Sequence, residues 1–158
     1  MNKNYYKTKS IFSRRFKTRK NKRTDISTKI QHFEQEVILK FIYLLNTVKI
    51  YHWKTRSYAT HKATDELYSR LNEHIDKFVE VLLGKFENRV DLMSIHSIPF
   101  KDFTSFDLFK KEIYSFKNYL VSLDSNMYIK NMTNSDLYNI RDEILGDLNQ
   151  FLYLLTFN

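Results

Sequence analysis

The stretch HKATDELYSRLNEHIDKFVE, residues 61–80, places His61, Asp65, Asp76 and Glu80 at two i,i+4 pairs. Imidazole nitrogen and carboxylate oxygen are ligand types that suit Fe(II), Mn(II) or Zn(II), so the chemistry to consider is capture of a divalent metal. If the segment is helical, each pair shares a face. His61 and Asp76 are fifteen residues apart, which is roughly 22 Å on a straight helix. One helix therefore cannot bring both pairs to one ion. Two copies packed antiparallel about a two-fold axis near residue 70 can: His61 and Asp65 of one chain would meet Asp76 and Glu80 of the other, and symmetry would make two such sites. A di-iron site inside one bundle needs Glu-x-x-His on two helices, and the chain has none.

The elements that must carry these residues read as helices. The chain has 158 residues, two glycines, one proline and no cysteine, so breakers are scarce and thiolate or disulfide chemistry is absent. That composition predicts one all-α domain in a reducing compartment. Phe33, Val37, Phe41, Leu44, Leu45 and Val48 recur at helical spacing, predicting a first helix from about Ile30 to Trp53. The apolar run within it is interrupted by Lys40, Asn46 and Lys49 and is too short and too charged to span a bilayer. A second helix is expected from about Ala59 to Leu83, stopped by Gly84. Its core stripe is Leu67, Leu71, Ile75, Phe78 and Leu82. The acids, His61 and Tyr68 lie beside that stripe, while Glu66, Arg70 and Lys77 form an ordinary mixed-charge flank.

Residues 85–104 contain the only proline and read as a long connection with room for one short helix. A third helix follows from about Ser105 to Leu123. The fourth runs from about Ser135, a suitable N-cap, to Phe157. Short, long and short connections fit a four-helix bundle with one long crossover, the ferritin-like arrangement among others.

Charge divides the chain differently. Residues 1–29 carry +10, and residues 30–158 carry −2. The first segment is a basic arm, without sustained apolar period, expected to lack order when alone. Its cluster Arg14, Arg15, Lys17, Arg19, Lys20, Lys22 and Arg23 can neutralise phosphates and release counterions. Tyr5, Tyr6, Phe12 and Phe16 can stack on exposed bases. A solubilising tail or a targeting segment is the competing reading.

His52-Trp53 followed by His61-x3-Asp65-x10-Asp76-x3-Glu80 resembles the ferroxidase signature of the Dps family, the DNA-protecting ferritin-like proteins of starved cells. The resemblance covers about residues 37–84. It implies a site shared between two-fold related subunits, with His52, His61 and Asp65 from one, Asp76 and Glu80 from the other, and Trp53 beside it as electron donor. It also implies Fe(II) oxidation by peroxide or dioxygen, iron as the metal, a homo-oligomer of at least two chains, DNA binding through a basic arm, and a cytoplasmic or nucleoid location. Two departures stand out: the two histidines are nine apart where the family has twelve, and Val81 stands where an arginine is common. The segment HWKTRSYATHK is also similar to ferritin-like proteins of large DNA viruses and phages. That kinship implies the alternative: a noncatalytic virion component that grips nucleic acid or an acidic capsid surface. On the blandest reading, His61 lines the turn between the first two helices and the acids are a hydrated face. His32, His74 and His96 read as surface or packing residues, and Asp142, Glu143 and Asp147 as a hydrated face.

Overall fold

The computed structural model describes residues 5–130 and 134–157, with side chains described from residue 25 onward. The fold is all-α. Its helices are α1 (Tyr5–Lys54), α2 (Tyr58–Phe86), α3 (Phe106–Ser122), the single turn α4 (Met127–Lys130) and α5 (Ser135–Leu154). Among the described residues there is no strand, and no helix is long and apolar enough to cross a membrane. The chain divides into two compact units, residues 1–33 and 34–158.

Helix α1 begins at Tyr5, well before the expected start near Ile30. Residues 1–29 contain no glycine or proline and are rich in Lys and Arg, which are good helix formers, so no residue interrupts the backbone ladder. Asp25 and Lys29, an i,i+4 pair at 2.9 Å, add local support.

In the second unit the apolar period does what it predicts. Val37, Phe41, Leu44 and Val48 of α1 are buried, as are Leu67, Leu71, Ile75, Phe78 and Leu82 of α2. Aromatic contacts tie the long helices together. Phe41 meets Phe78 of α2 edge-on at 5.2 Å and Phe116 of α3 at 5.9 Å. Tyr51 stacks on Phe109 of α3 at 3.9 Å, and Phe109 meets Phe151 of α5 at 6.0 Å. Together with the His74–Asp147 and Lys85–Asp136 pairs between α2 and α5, these contacts close a ring in the order α1, α2, α5, α3. Phe41–Phe78 with His52–His61, Phe41–Phe116 with Tyr51–Phe109, and His74–Asp147 with Lys85–Asp136 each run in opposite sequence directions, so α1 is antiparallel to α2 and to α3, and α2 to α5. Helix α2 therefore runs parallel to α3 across the diagonal, and the connection between them must travel the length of the bundle.

The connection does so. Asn88 donates to both carboxylate oxygens of Glu34 at 3.1 and 2.9 Å, Gln35 donates to the Asp91 carbonyl at 2.7 Å, and Lys54 pairs with Asp102 at 2.6 Å. Between Glu87 and Ser105 it holds turns and no helix, contrary to the expected short helix; side-chain clasps to α1 hold it where a helical ladder would have been needed.

Two caps also differ from the sequence reading. Helix α2 continues past Gly84, and Glu87 takes the left-handed position at φ 54°. The Glu87 and Asn88 amides then donate to the Gly84 and Leu83 carbonyls at 3.2 and 3.0 Å, satisfying the helix end one turn later. Asn134, not Ser135, precedes α5; its side chain donates to the Ile129 carbonyl, while Ser135 is already helical. Helix α3 starts where it is expected, and Ser105 is its N-cap, the hydroxyl accepting from the Leu108 amide at 3.2 Å.

Candidate metal centre at the α1–α2 turn

Three residues, Thr55 to Ser57, reverse the chain between α1 and α2. Ser57 starts α2 by accepting from the Thr60 amide at 3.2 Å. This tight reversal brings the end of α1 against the first turns of α2 and sets His52 beside His61, their rings stacked at 3.9 Å and 23°. Each ring bonds to the other residue's backbone: His52 Nδ1 lies 3.0 Å from the His61 carbonyl, and His61 Nδ1 lies 3.1 Å from the His52 carbonyl. A carbonyl only accepts, so both Nδ1 atoms carry the proton and donate. In the neutral ring this tautomer leaves Nε2 with the lone pair that a metal requires, its orientation fixed from behind as in established metal centres.

Thr64 reinforces this assignment. It is fully buried, and its hydroxyl donates toward the Thr60 and His61 carbonyls at 2.8 and 3.0 Å. The same oxygen lies 3.2 Å from His52 Nδ1 and accepts from it. His52 is 7% exposed, so its ring is held within the protein rather than displayed on it.

Asp65 lies on the next part of the same face, with one oxygen 3.9 Å from His52 Nε2. It is exposed, and Lys49 Nζ also stands 3.9 Å from that oxygen. The lysine lies over the rings of Tyr68 at 4.7 Å and Trp53 at 5.8 Å. Lys49 escaped the sequence reading, although it sits one helical turn before His52; only the α1–α2 packing reveals that it faces Asp65. Trp53 is 71% exposed, at the rim of the group.

Of the five candidate ligands, His52 lies against both His61 and Asp65, and the shortened histidine spacing does not keep the two rings apart. Asp76 and Glu80 lie exposed farther along the single continuous helix α2. Among the described residues, no group of three or more His, Asp or Glu side chains is positioned to hold a metal ion within one chain. The side chains of Arg14, Arg15, Lys17, Arg19, Lys20, Lys22 and Arg23 lie outside the described residues.

A second ionic group went unread in the sequence. Asp147 is 8% exposed, not part of a hydrated face. Its carboxylate meets His74 Nδ1 at 2.7 Å and Arg70 at 3.8 Å across the α2–α5 interface. Arg70 also bonds Gln150 and Glu66. Glu143, half exposed, pairs with Lys77 at 3.8 Å. With Arg70 and Lys77 already balancing these carboxylates, the group clamps two helices and is poorly suited to a cation.

No curated protein and no solved structure is significantly similar to the chain. One family model, a family of unknown function (DUF5856), matches residues 52–155. The match takes in His52, Trp53, His61, Asp65, Asp76 and Glu80, and it leaves the basic arm outside. It spans well over half of the sequence, and the chain belongs to that family.

Proposed function

We propose that the protein is a ferritin-like, Dps-like iron-binding protein that oxidises Fe(II) at a site shared by two chains and holds nucleic acid through its basic arm. The observation that carries this reading is the pair of reciprocal ring-to-backbone bonds between His52 and His61. They turn both Nδ1 protons to the backbone, and His52 Nε2 stands 3.9 Å from Asp65; imidazole and carboxylate are a donor set suited to Fe(II). The topology supports it: antiparallel neighbours with one long crossover fit the ferritin-like arrangement among others. The exposed Asp76 and Glu80, roughly 22 Å farther along α2 by helical rise, match the half-site a reversed second chain would supply. In this reading Fe(II) is the substrate, peroxide or dioxygen takes the electron, and Trp53 lies at the rim as an electron donor. Fe(II) oxidation, followed by ferric absorbance, is expected for the native protein and lost in His61→Ala with Asp65→Ala. Equal rates in the two sink the enzyme reading.

Lys49 favours a second reading. Its ammonium group already stands beside Asp65, so the same bundle would serve as a noncatalytic scaffold, a virion component among the options. Metal content of the purified protein separates the two: about one iron, manganese or zinc per site supports the first, and none after incubation with Fe(II) supports the second. In either case the arm should bind DNA in a steeply salt-dependent way. Replacing Arg14, Arg15, Arg19 and Arg23 by alanine should flatten the slope of log affinity against log salt by about 3 to 4. An unchanged slope removes the arm from the interface.

A further inference from the structure

The turn between α1 and α2 carries a second kind of surface. Trp53, the only tryptophan of the chain, stands in the last turn of α1 and is 71% exposed; Tyr58 opens α2 and is 75% exposed. Such rings ordinarily bury most of their area, so two left in water on either side of one reversal ask for a partner. The reversal that displays them is held in place. The Thr55 amide donates to the Tyr51 carbonyl at 2.9 Å and the Ser57 amide to the Thr55 hydroxyl at 3.2 Å, so little freedom is lost when a partner docks. Residues 49–64 hold four cations, Lys49, Lys54, Arg56 and Lys62, and no acid. Lys49 faces Asp65 at 3.9 Å and Lys54 pairs with Asp102 at 2.6 Å. Arg56 and Lys62 are exposed and form no ion pair among the described residues, so they are the uncompensated charge of the turn. Each exposed ring also has a cation beside it: Lys62 Nζ lies 5.9 Å from the centre of the Tyr58 ring, and Lys49 lies over Trp53.

We propose that this turn is a contact for single-stranded nucleic acid, in which Trp53 and Tyr58 stack on unpaired bases while Arg56 and Lys62 meet the phosphates. Charge and rings together choose that class. A polyanion without flat groups would use the cations and leave the rings in water. A duplex turns its phosphates outward but keeps its bases stacked on one another, closed to both rings. A single strand offers bases and phosphates in alternation, and stacking platforms beside cations are how such strands are held. A membrane surface asks for a continuous apolar face, whereas Lys54, Thr55, Arg56 and Ser57 separate the two rings. DNA and RNA strands share this chemistry. The contact lies in the second unit, residues 34–158, apart from the basic arm, and it stands whether or not the histidines behind it take a metal.

Trp53 is its own reporter. The full-length protein, with EDTA present to keep metals from His52 and His61, is titrated with an oligothymidylate of about 16 nucleotides, with an oligouridylate and with a DNA duplex of the same length. Single strands should quench Trp53 emission saturably as bases stack on the indole; the duplex should leave the emission unchanged even where the arm binds it. Quenching by either strand supports the contact, and the tighter of the two names the preferred sugar. Tyr58→Ala should weaken single-strand binding about tenfold, and Tyr58→Phe, which keeps the ring, should restore it. Arg56→Ala with Lys62→Ala should flatten the single-strand slope of log affinity against log salt by about 1.4, the loss of two phosphate contacts. Thermal melting establishes that each variant is folded. A single strand that binds without quenching Trp53, equal quenching by the duplex, or an affinity indifferent to Tyr58→Ala or a slope indifferent to the double variant overturns the proposal. A blue shift of Trp53 on phosphatidylserine vesicles with no quenching by single strands overturns it too, in favour of a membrane surface.

Discussion

Two variants, each broken in one half of the proposed iron site, should restore activity when they are allowed to pair. The first carries His61→Ala and Asp65→Ala; the second carries Asp76→Ala and Glu80→Ala. These pairs lie on one unbroken helix, Tyr58–Phe86, and the rise per residue keeps His61 and Asp76 roughly 22 Å apart within a chain. Each variant alone then makes a dimer in which both sites lack half of their ligands, and Fe(II) oxidation should fall to background. In a mixed dimer, one site combines the two damaged halves and the other combines the two intact ones. Random pairing of equal amounts makes half of the dimers mixed, so about one quarter of all sites should be whole, and the rate per chain should be about one quarter of the native rate. The assay is ferric absorbance after coexpression, with differently tagged chains purified in tandem to isolate the mixed species, in which about half the sites are whole. No recovery in purified mixed dimers would refute the two-chain geometry. Native rates in the Asp76→Ala, Glu80→Ala variant alone would refute it as well, by showing that one chain holds a complete site.

Three further outcomes follow from individual contacts. Thr64→Val keeps the shape of a fully buried residue but removes one acceptor of His52 Nδ1; it should cost about 1 kcal/mol in chemical denaturation and weaken metal binding by about tenfold or more, and unchanged metal affinity would count against the hydroxyl as an orienting group. Glu87→Gly removes a side chain from the left-handed position at φ 54° and should raise stability by about 1 kcal/mol, a gain of about 2–4 °C in Tm; a lower Tm contradicts the cap assignment. Glu34 is 3% exposed, and burial raises its pKa above the ordinary 4.5, only partly offset by Asn88. The folded state therefore holds this proton more tightly than the unfolded chain, and stability contributed below pH 4.5 is lost as the pH rises through the folded value. Glu34→Gln should be more stable than the native protein at neutral pH, with the difference vanishing in acid; a difference independent of pH in urea titrations would reject that cause.

Much of the fold was legible because it is encoded locally. The apolar residues of α2 recur every three or four positions, and Leu67, Leu71, Ile75, Phe78 and Leu82 are all buried where that period puts them. Helix α3 starts at about Ser105 as expected, and the structure adds the reason, a hydroxyl that accepts from a free amide of the first turn. Where two local signals competed, the reading failed. Gly84 looked like a helix stop, yet α2 continues for two more residues and its cap is joined to α1 through Asn88 and Glu34. The basic arm was read from its charge and its lack of an apolar period, while its freedom from helix breakers carries α1 back to Tyr5.

Sequence by itself determined the helical class, the buried stripe and the spacing of His61, Asp65, Asp76 and Glu80, because each depends only on residue types and on the fixed pitch of a helix. Tertiary structure decided the rest. Stacking His52 on His61 requires a three-residue reversal that folds α1 onto α2, and Lys49 meets Asp65 only through that packing. Asp147 became a buried partner of His74 because α2 and α5, distant in sequence, close on each other antiparallel. Such contacts depend on the relative placement of helices, which no periodicity within one helix specifies.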